Sequence, residues 1–126
     1  MRIFKTRWFD KWAAKQGLTD KVLVAAIREV ENGLVDADLG GHVYKKRVAL
    51  PGRGKSGGLR TLIAFRAVDR AFFVYGFAKS ERTNISTKEL KALRLLAEQL
   101  LSYTPPALTK GLQAEELTEV PDDAEE

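Results

Sequence analysis

A chain of 126 residues, 44% of them apolar, suits one compact domain with a packed core and excludes global disorder. It has no cysteine and one histidine, His42, which excludes disulfides, thiolate nucleophiles and Cys- or His-rich metal sites, so no metal or cofactor is expected. The formal charge of +4 hides an asymmetry: seven acids and no basic residue lie from Gln113 onward, leaving Met1–Leu112 with a net +11, and a body that basic attracts polyanions, nucleic acid above all.

The first strand signal is short, Ile3–Phe4, and Met1–Lys5 lacks the apolar segment of a signal peptide. Trp8, Phe9, Trp12 and Ala13 recur at helical spacing over Arg7–Gln16, both tryptophans reading as core, and Gly17 is a natural stop. Thr19 is placed as an N-cap, with Leu18 and Leu23 as a hydrophobic staple. Leu23, Ala26, Ile27 and Val30 form the buried stripe of a second helix that Gly33 ends. Beyond it the period changes. Val43–Leu50, Leu59–Ala67 and Ala71–Lys79 read as strands, and only Val68, Asp69 and Arg70 separate the last two, which makes them an antiparallel hairpin. Ser86 and Glu89 form a capping box, with Ile85 and Leu90 as its staple. Leu90, Leu93, Ala97, Leu100 and Leu101 line the inner face of the helix that follows, and Pro105 and Pro106 end it.

The order β-α-α-β-β-β-α predicts an α+β fold: a small antiparallel-rich sheet with an N-terminal helical hairpin, a C-terminal helix, and its helices on one face. Residues 1–112 are expected to form the single domain and 113–126 an acidic, partly disordered tail. No apolar run approaches the roughly 20 residues that span a bilayer, so a soluble, cytoplasmic protein with no membrane partner is expected.

Gly52–Gly58 (GRGKSGG) imitates a phosphate loop. A Walker loop needs glycine at position 49, which is Ala49, and must run into a helix, whereas here a strand follows. A basic hairpin loop presenting Arg53 and Lys55 to phosphate is the better reading. The stronger signal is convergence. Lys45 and Arg47 alternate onto one face of their strand, while Lys46 points the other way. Arg60 sits early on the next strand, Lys79 ends the one after, and Arg82 follows. Gathered around one groove, such cations repel each other and call for an anionic ligand. Lys45 and Arg60 are expected to be exposed there. His42 reads as an exposed turn residue, and Tyr75 as a minor stacking candidate near the groove.

Val43–Ala49 (VYKKRVA), Gly54–Thr61 (GKSGGLRT) and Tyr75–Ile85 (YGFAKSERTNI) together resemble the HigB-like branch of the RelE/ParE toxin superfamily. The resemblance covers nearly the whole chain except its acidic end. It implies the toxin of a type II toxin–antitoxin system: a metal-independent endoribonuclease that cuts mRNA on the ribosome and is neutralised by a cognate antitoxin, often one that binds DNA through a helix-turn-helix. By that resemblance Lys45 and Arg47 match the paired basic positions of one central strand, Arg60 the arginine of the next, and Lys79 the turn after the following one. The chain departs from RelE at Ser80, where RelE has arginine, and near Ser86, where RelE has tyrosine.

The chemistry is consistent with such a set. RNA cleavage can use the RNA's own 2′-hydroxyl as nucleophile, so a protein need only orient it, take its proton, offset phosphorane charge and protonate the leaving 5′-oxygen. Crowding among cations favours a neutral lysine, which makes Lys45 the candidate base. Arg47, Arg60 and Lys79 are the candidate phosphate and transition-state stabilisers, and Lys46, Arg53, Lys55 and Arg82 the candidate RNA or ribosome contacts. Two other readings share the fold. One is a ParE-like toxin that inhibits a protein such as a topoisomerase; the other is a non-catalytic basic RNA-binding module. The dense cationic set favours the nuclease over the protein inhibitor, and cleavage itself separates the nuclease from the binding module.

Overall fold

A computed structural model describes residues 1–50 and 58–122. The elements run β1 (Arg2–Thr6), α1 (Arg7–Gln16), α2 (Asp20–Glu31), β2 (Ala37–Asp38), β3 (Val43–Val48), β4 (Leu59–Arg66), β5 (Arg70–Ala78), α3 (Thr87–Leu101), α4 (Pro105–Gln113) and β6 (Leu117–Val120). Local chemistry sets the helix ends. The Thr6 and Thr19 hydroxyls accept from the backbone N–H groups of Phe9 and Val22. Gly17, at φ 76°, turns its N–H back to the Ala13 and Ala14 carbonyls, a left-handed stop that glycine makes without steric cost. Ser86 and Glu89 close a reciprocal capping box at the start of α3.

The strands form one mixed sheet in the order β2-β3-β4-β5-β1-β6. The β1–β5 pair is parallel and the others are antiparallel. Helices cover both faces, which corrects the one-face expectation. Phe9, Ala13, Leu23 and Ile27 of α1 and α2 pack with Ile3, Ile63 and Phe73. Ala97, Leu100, Leu101 and Leu108 of α3 and α4 pack with Phe4, Leu62, Ala64 and Phe72. Neighbours along each strand therefore feed opposite cores, and every residue from Leu59 to Phe65 is buried. Leu62–Phe65 is the continuous apolar run that a strand covered on both sides requires, and Arg60 and Thr61 are its buried polar exceptions. Fully burying each large side chain, such as Phe4 stacked on Phe72 at 4.9 Å between centroids, contributes about 1.5–3 kcal/mol.

Two further elements depart from expectation. Pro105 and Pro106 do more than end a helix: they open α4, behind a Thr104 N-cap, where proline's missing N–H costs nothing. Leu117–Val120, within the segment read as an acidic tail, is an edge strand on β1 with Leu117 and Val120 buried. Its two apolar side chains reach the core on opposite sides of the sheet while Thr118 and Glu119 stay exposed. Asp123–Glu126 lie outside the described residues. Among the described residues, no helix is long and apolar enough to cross a membrane.

A register shift at Leu62/Ile63 shapes the site. Leu62 pairs with Tyr75 and Ile63 with Phe73, so Val74 is the extra residue and both Val74 and Tyr75 join the α3 side. Such bulges bend a strand and re-aim its side chains. Gly76 then faces α1, where an added Cβ would lie 2.3 Å from the Trp12 ring. Only glycine admits that approach.

Candidate functional site

The β3–β4–β5 register assembles the cations. Arg47 lies directly opposite Arg60, and Arg60 opposite Phe77. One step along, Lys45 lies opposite Leu62 and Leu62 opposite Tyr75. Alternation puts both rows on the α3 side of the sheet, where Leu62 and Tyr75 join the α3–α4 core. The structure therefore brings Lys45, Arg47 and Arg60 together. Lys79 follows in the turn after β5, exposed and without a hydrogen bond or ion pair among the described residues.

Compensation within this group is uneven. Arg47 is held by Asp36, whose carboxylate accepts from the Arg47 Nε at 2.6 Å and its backbone N–H at 2.5 Å. Burial pushes the Asp36 carboxyl up, but the hydrogen bonds from Arg47 outweigh it and hold the group below the usual carboxylate range. Arg82 donates to both oxygens of Glu89, at 3.0 and 2.6 Å, and to the Asn84 carbonyl at 2.8 Å, and it lies 5.6 Å over the Phe77 ring. The Arg82 hydrogen bonds, with those from Ser86, lower the Glu89 carboxyl to about 2. Arg82 thereby ties the β5–α3 loop to the capping box.

Arg60 differs from both. It is only 8% exposed, which corrects the expectation of an exposed groove residue, and its Nη1 is enclosed with no hydrogen-bond partner among the described residues. Its cross-strand neighbour is the like-charged Arg47, a pairing that destabilises the empty sheet. Lys45 beside them is half-buried and makes no hydrogen bond or ion pair among the described residues. A buried guanidinium without a partner among the described residues, between a second arginine and an aromatic ring, is suited to an anion that enters from outside and accepts its donors, as a phosphate does.

Other expected contacts fall elsewhere. Lys46 does not join the groove. It points to the α2 side, 5% exposed, where its Nζ donates to the Leu34 carbonyl at 2.8 Å and pairs with Glu29 at 2.6 Å. It belongs to the packing of β3 on α2, on the opposite face of the sheet from Lys45, Arg47 and Arg60, and its charge is met from within the protein. Arg53 and Lys55 lie outside the described residues. His42 is exposed in the turn before β3, at φ 66°, as expected.

Several site residues escaped the sequence reading. Asp36, Glu89 and Phe77 engage the cations but are distant from them in sequence or carry another local signal. Trp8, read as core, is 46% exposed and stacks on Tyr75 at 4.5 Å between centroids. A signal existed: Trp8 shares its helical stripe with the exposed Lys11 and Lys15, whereas Phe9 and Ala13 form the buried one.

A search of curated protein sequences returns no match. A family model described as the RelE toxin of the RelE/RelB toxin–antitoxin system matches residues 1–120, which takes in every described strand and helix. The chain therefore belongs to the RelE toxin family of the RelE/RelB toxin–antitoxin system.

Proposed function

We propose that this chain is a cytoplasmic, HigB-like toxin that inhibits translation by cutting mRNA on the ribosome, without a metal, and is held in check by a cognate antitoxin with a DNA-binding helix-turn-helix. Family membership supports a toxin and, as is general in that family, an endoribonuclease. The observation that carries the reading to RNA is Arg60: a buried guanidinium whose Nη1 has no partner among the described residues, beside Arg47 and Lys45.

In this reading Arg60 clamps the scissile phosphate. Arg47, 44% exposed at its side chain even while held by Asp36, offers its outer edge to the same charge. Lys45 takes the proton of the 2′-hydroxyl, whose oxygen attacks the adjacent phosphorus. The P–O5′ bond breaks, the 5′-oxygen takes a proton from solvent water and leaves as a hydroxyl, Lys45 returns its proton to solvent, and a 2′,3′-cyclic phosphate remains. Arginines fixed in place before the reaction stabilise the phosphorane without reorganisation. Lys79 and Arg82 border the path of the strand.

Induction in a bacterial host, with and without the antitoxin gene, tests this when mRNA 5′ ends are mapped. New 5′-hydroxyl ends on translated messages are expected, and they should vanish with the antitoxin or with Lys45→Ala. Growth arrest without new ends would favour a ParE-like protein inhibitor. RNA binding without arrest or cleavage would leave a non-catalytic binding module.

A further inference from the structure

We infer that Trp8, backed by Tyr75, is a platform on which an unpaired base of the bound RNA stacks, one strand outside the phosphate-binding cations. The inference rests on the RNA-cleaving reading and adds to it the site that holds a base. Four observations converge on it. The Trp8 ring stacks on Tyr75 at an interplanar angle of 23° and lies near-parallel to Trp12 at 6.1 Å between centroids, yet Trp8 remains 46% exposed. Tyr75 is itself continuous with the groove: its ring lies 6.5 Å from that of Phe77, the residue opposite Arg60. A guanidinium, Arg82, lies over Phe77 and reaches the Tyr75 hydroxyl, so positive charge borders the platform. β1 pairs with β5 only as far as Lys5↔Phe73, and the edge beyond, at Tyr75, is left to Trp8.

This geometry favours a nucleobase over an apolar protein side chain. A base presents a flat π-face whose backbone carries a phosphate, and the surroundings offer a flat indole with cations a strand away. Arg60 on β4 is one strand spacing, roughly 5 Å, from β5, and Trp8 lies a further 4.5 Å out on Tyr75, so an RNA crossing the sheet from Lys45 past Arg60 can lay a base on Trp8 within a nucleotide or two of the clamped phosphate.

The test uses the full chain and a short single-stranded RNA made uncleavable by 2′-O-methylation. Base–aromatic stacking predicts that Trp8→Ala weakens binding about 5- to 150-fold while Trp8→Phe retains most of it. Replacing one nucleotide at a time by an abasic unit should reveal one position that weakens binding to wild type and not to Trp8→Ala. That coupling is a readout a merely structural tryptophan would not produce, and the abasic series on wild type stands even if a variant folds poorly. Equal affinity of Trp8→Ala and wild type, or no coupled position, overturns the platform. If Arg60→Met loses RNA while Trp8→Ala keeps it, the platform alone fails. If Arg60→Met also binds as wild type, the RNA reading of the groove fails. Loss of antitoxin binding by Trp8→Ala with RNA binding intact assigns the surface to a protein and overturns the inference.

Discussion

Lys46 and Arg60 are both buried cations, on adjacent strands and one residue out of register with each other. On the α2 side, Lys46 has a carboxylate and a carbonyl within 2.8 Å. On the α3 side, Arg60 has a second arginine opposite it and an Nη1 with no partner among the described residues. Taking a charge out of water is costly unless its partners come with it. A buried cation with its own carboxylate is therefore architecture, complete in the isolated protein. One without a carboxylate holds the fold in a state that an incoming anion improves. Burial alone would have grouped the two residues, and sequence adjacency would have grouped Lys46 with its neighbours Lys45 and Arg47.

The variants expected to matter most bear on that contrast. Lys45→Ala should keep the fold and lower cleavage by roughly 10²- to 10⁴-fold, the usual contribution of a general base, read as single-turnover rates in a reconstituted translation system. A variant that cuts as wild type removes Lys45 from the reaction. Arg60→Met should lose about 10²- to 10³-fold in rate while its urea midpoint holds or rises, because an uncompensated buried charge is replaced by an apolar chain of similar shape. Lys46→Met should do the reverse. It should cost about 2 kcal/mol of stability and leave cleavage intact at temperatures where the variant is folded. If Lys46→Met abolishes cleavage without loss of stability, the division of the two faces is wrong.

A smaller effect belongs to pH. The Glu89 carboxyl is lowered from 4.5 to about 2, so its ionised form is favoured in the folded protein. The stabilisation it lends is fully present above pH 4.5 and is lost as the pH falls towards 2. Glu89→Gln should make the melting temperature fall less steeply across that window, and an unchanged slope would sever the Arg82–Glu89 link. The smallest effect is expected at Lys79. As an exposed turn cation, Lys79→Ala should change stability by less than about 0.5 kcal/mol. It should weaken ribosome binding modestly and flatten its dependence on salt by about one phosphate contact.

What could be read from the sequence was what local chemistry encodes. The caps at Thr19 and Ser86, the stop at Gly17 and the β4–β5 hairpin are settled within a few residues of each other, and all are present. The face to which Lys45 and Arg47 belong follows from strand alternation. What could not be read depends on distant partners. Glu29, which neutralises Lys46, comes from α2, and Asp36, which holds Arg47, from the segment before β2. Val120 and Leu117 amount to two apolar residues among acids until β1 is beside them. Pro105 was legible as punctuation, but whether it closes one helix or opens the next depends on Thr104 and on the core that Leu108 enters. The exposure of Trp8 was legible in the stripe it shares with Lys11 and Lys15, but its stacking on Tyr75 depends on where β1 leaves β5, which no local pattern records.

The position of β1 has a consequence for how the chain is made. Arg2 is in register with Arg70 on one side and grips both carboxylate oxygens of Glu119 on the other, 117 positions away. The hairpins of β3, β4 and β5 can pair as they leave the ribosome, while β1, synthesised earlier, waits for both of its neighbours. Closure over so long a separation is slow, and until Leu117–Val120 arrive the β1 edge is open to pairing with other chains. An exposed ion pair adds little to the equilibrium stability of a finished protein. Changes to the Arg2–Glu119 clamp therefore act first on the yield of folded chains during synthesis, and only second on the stability of those that complete it.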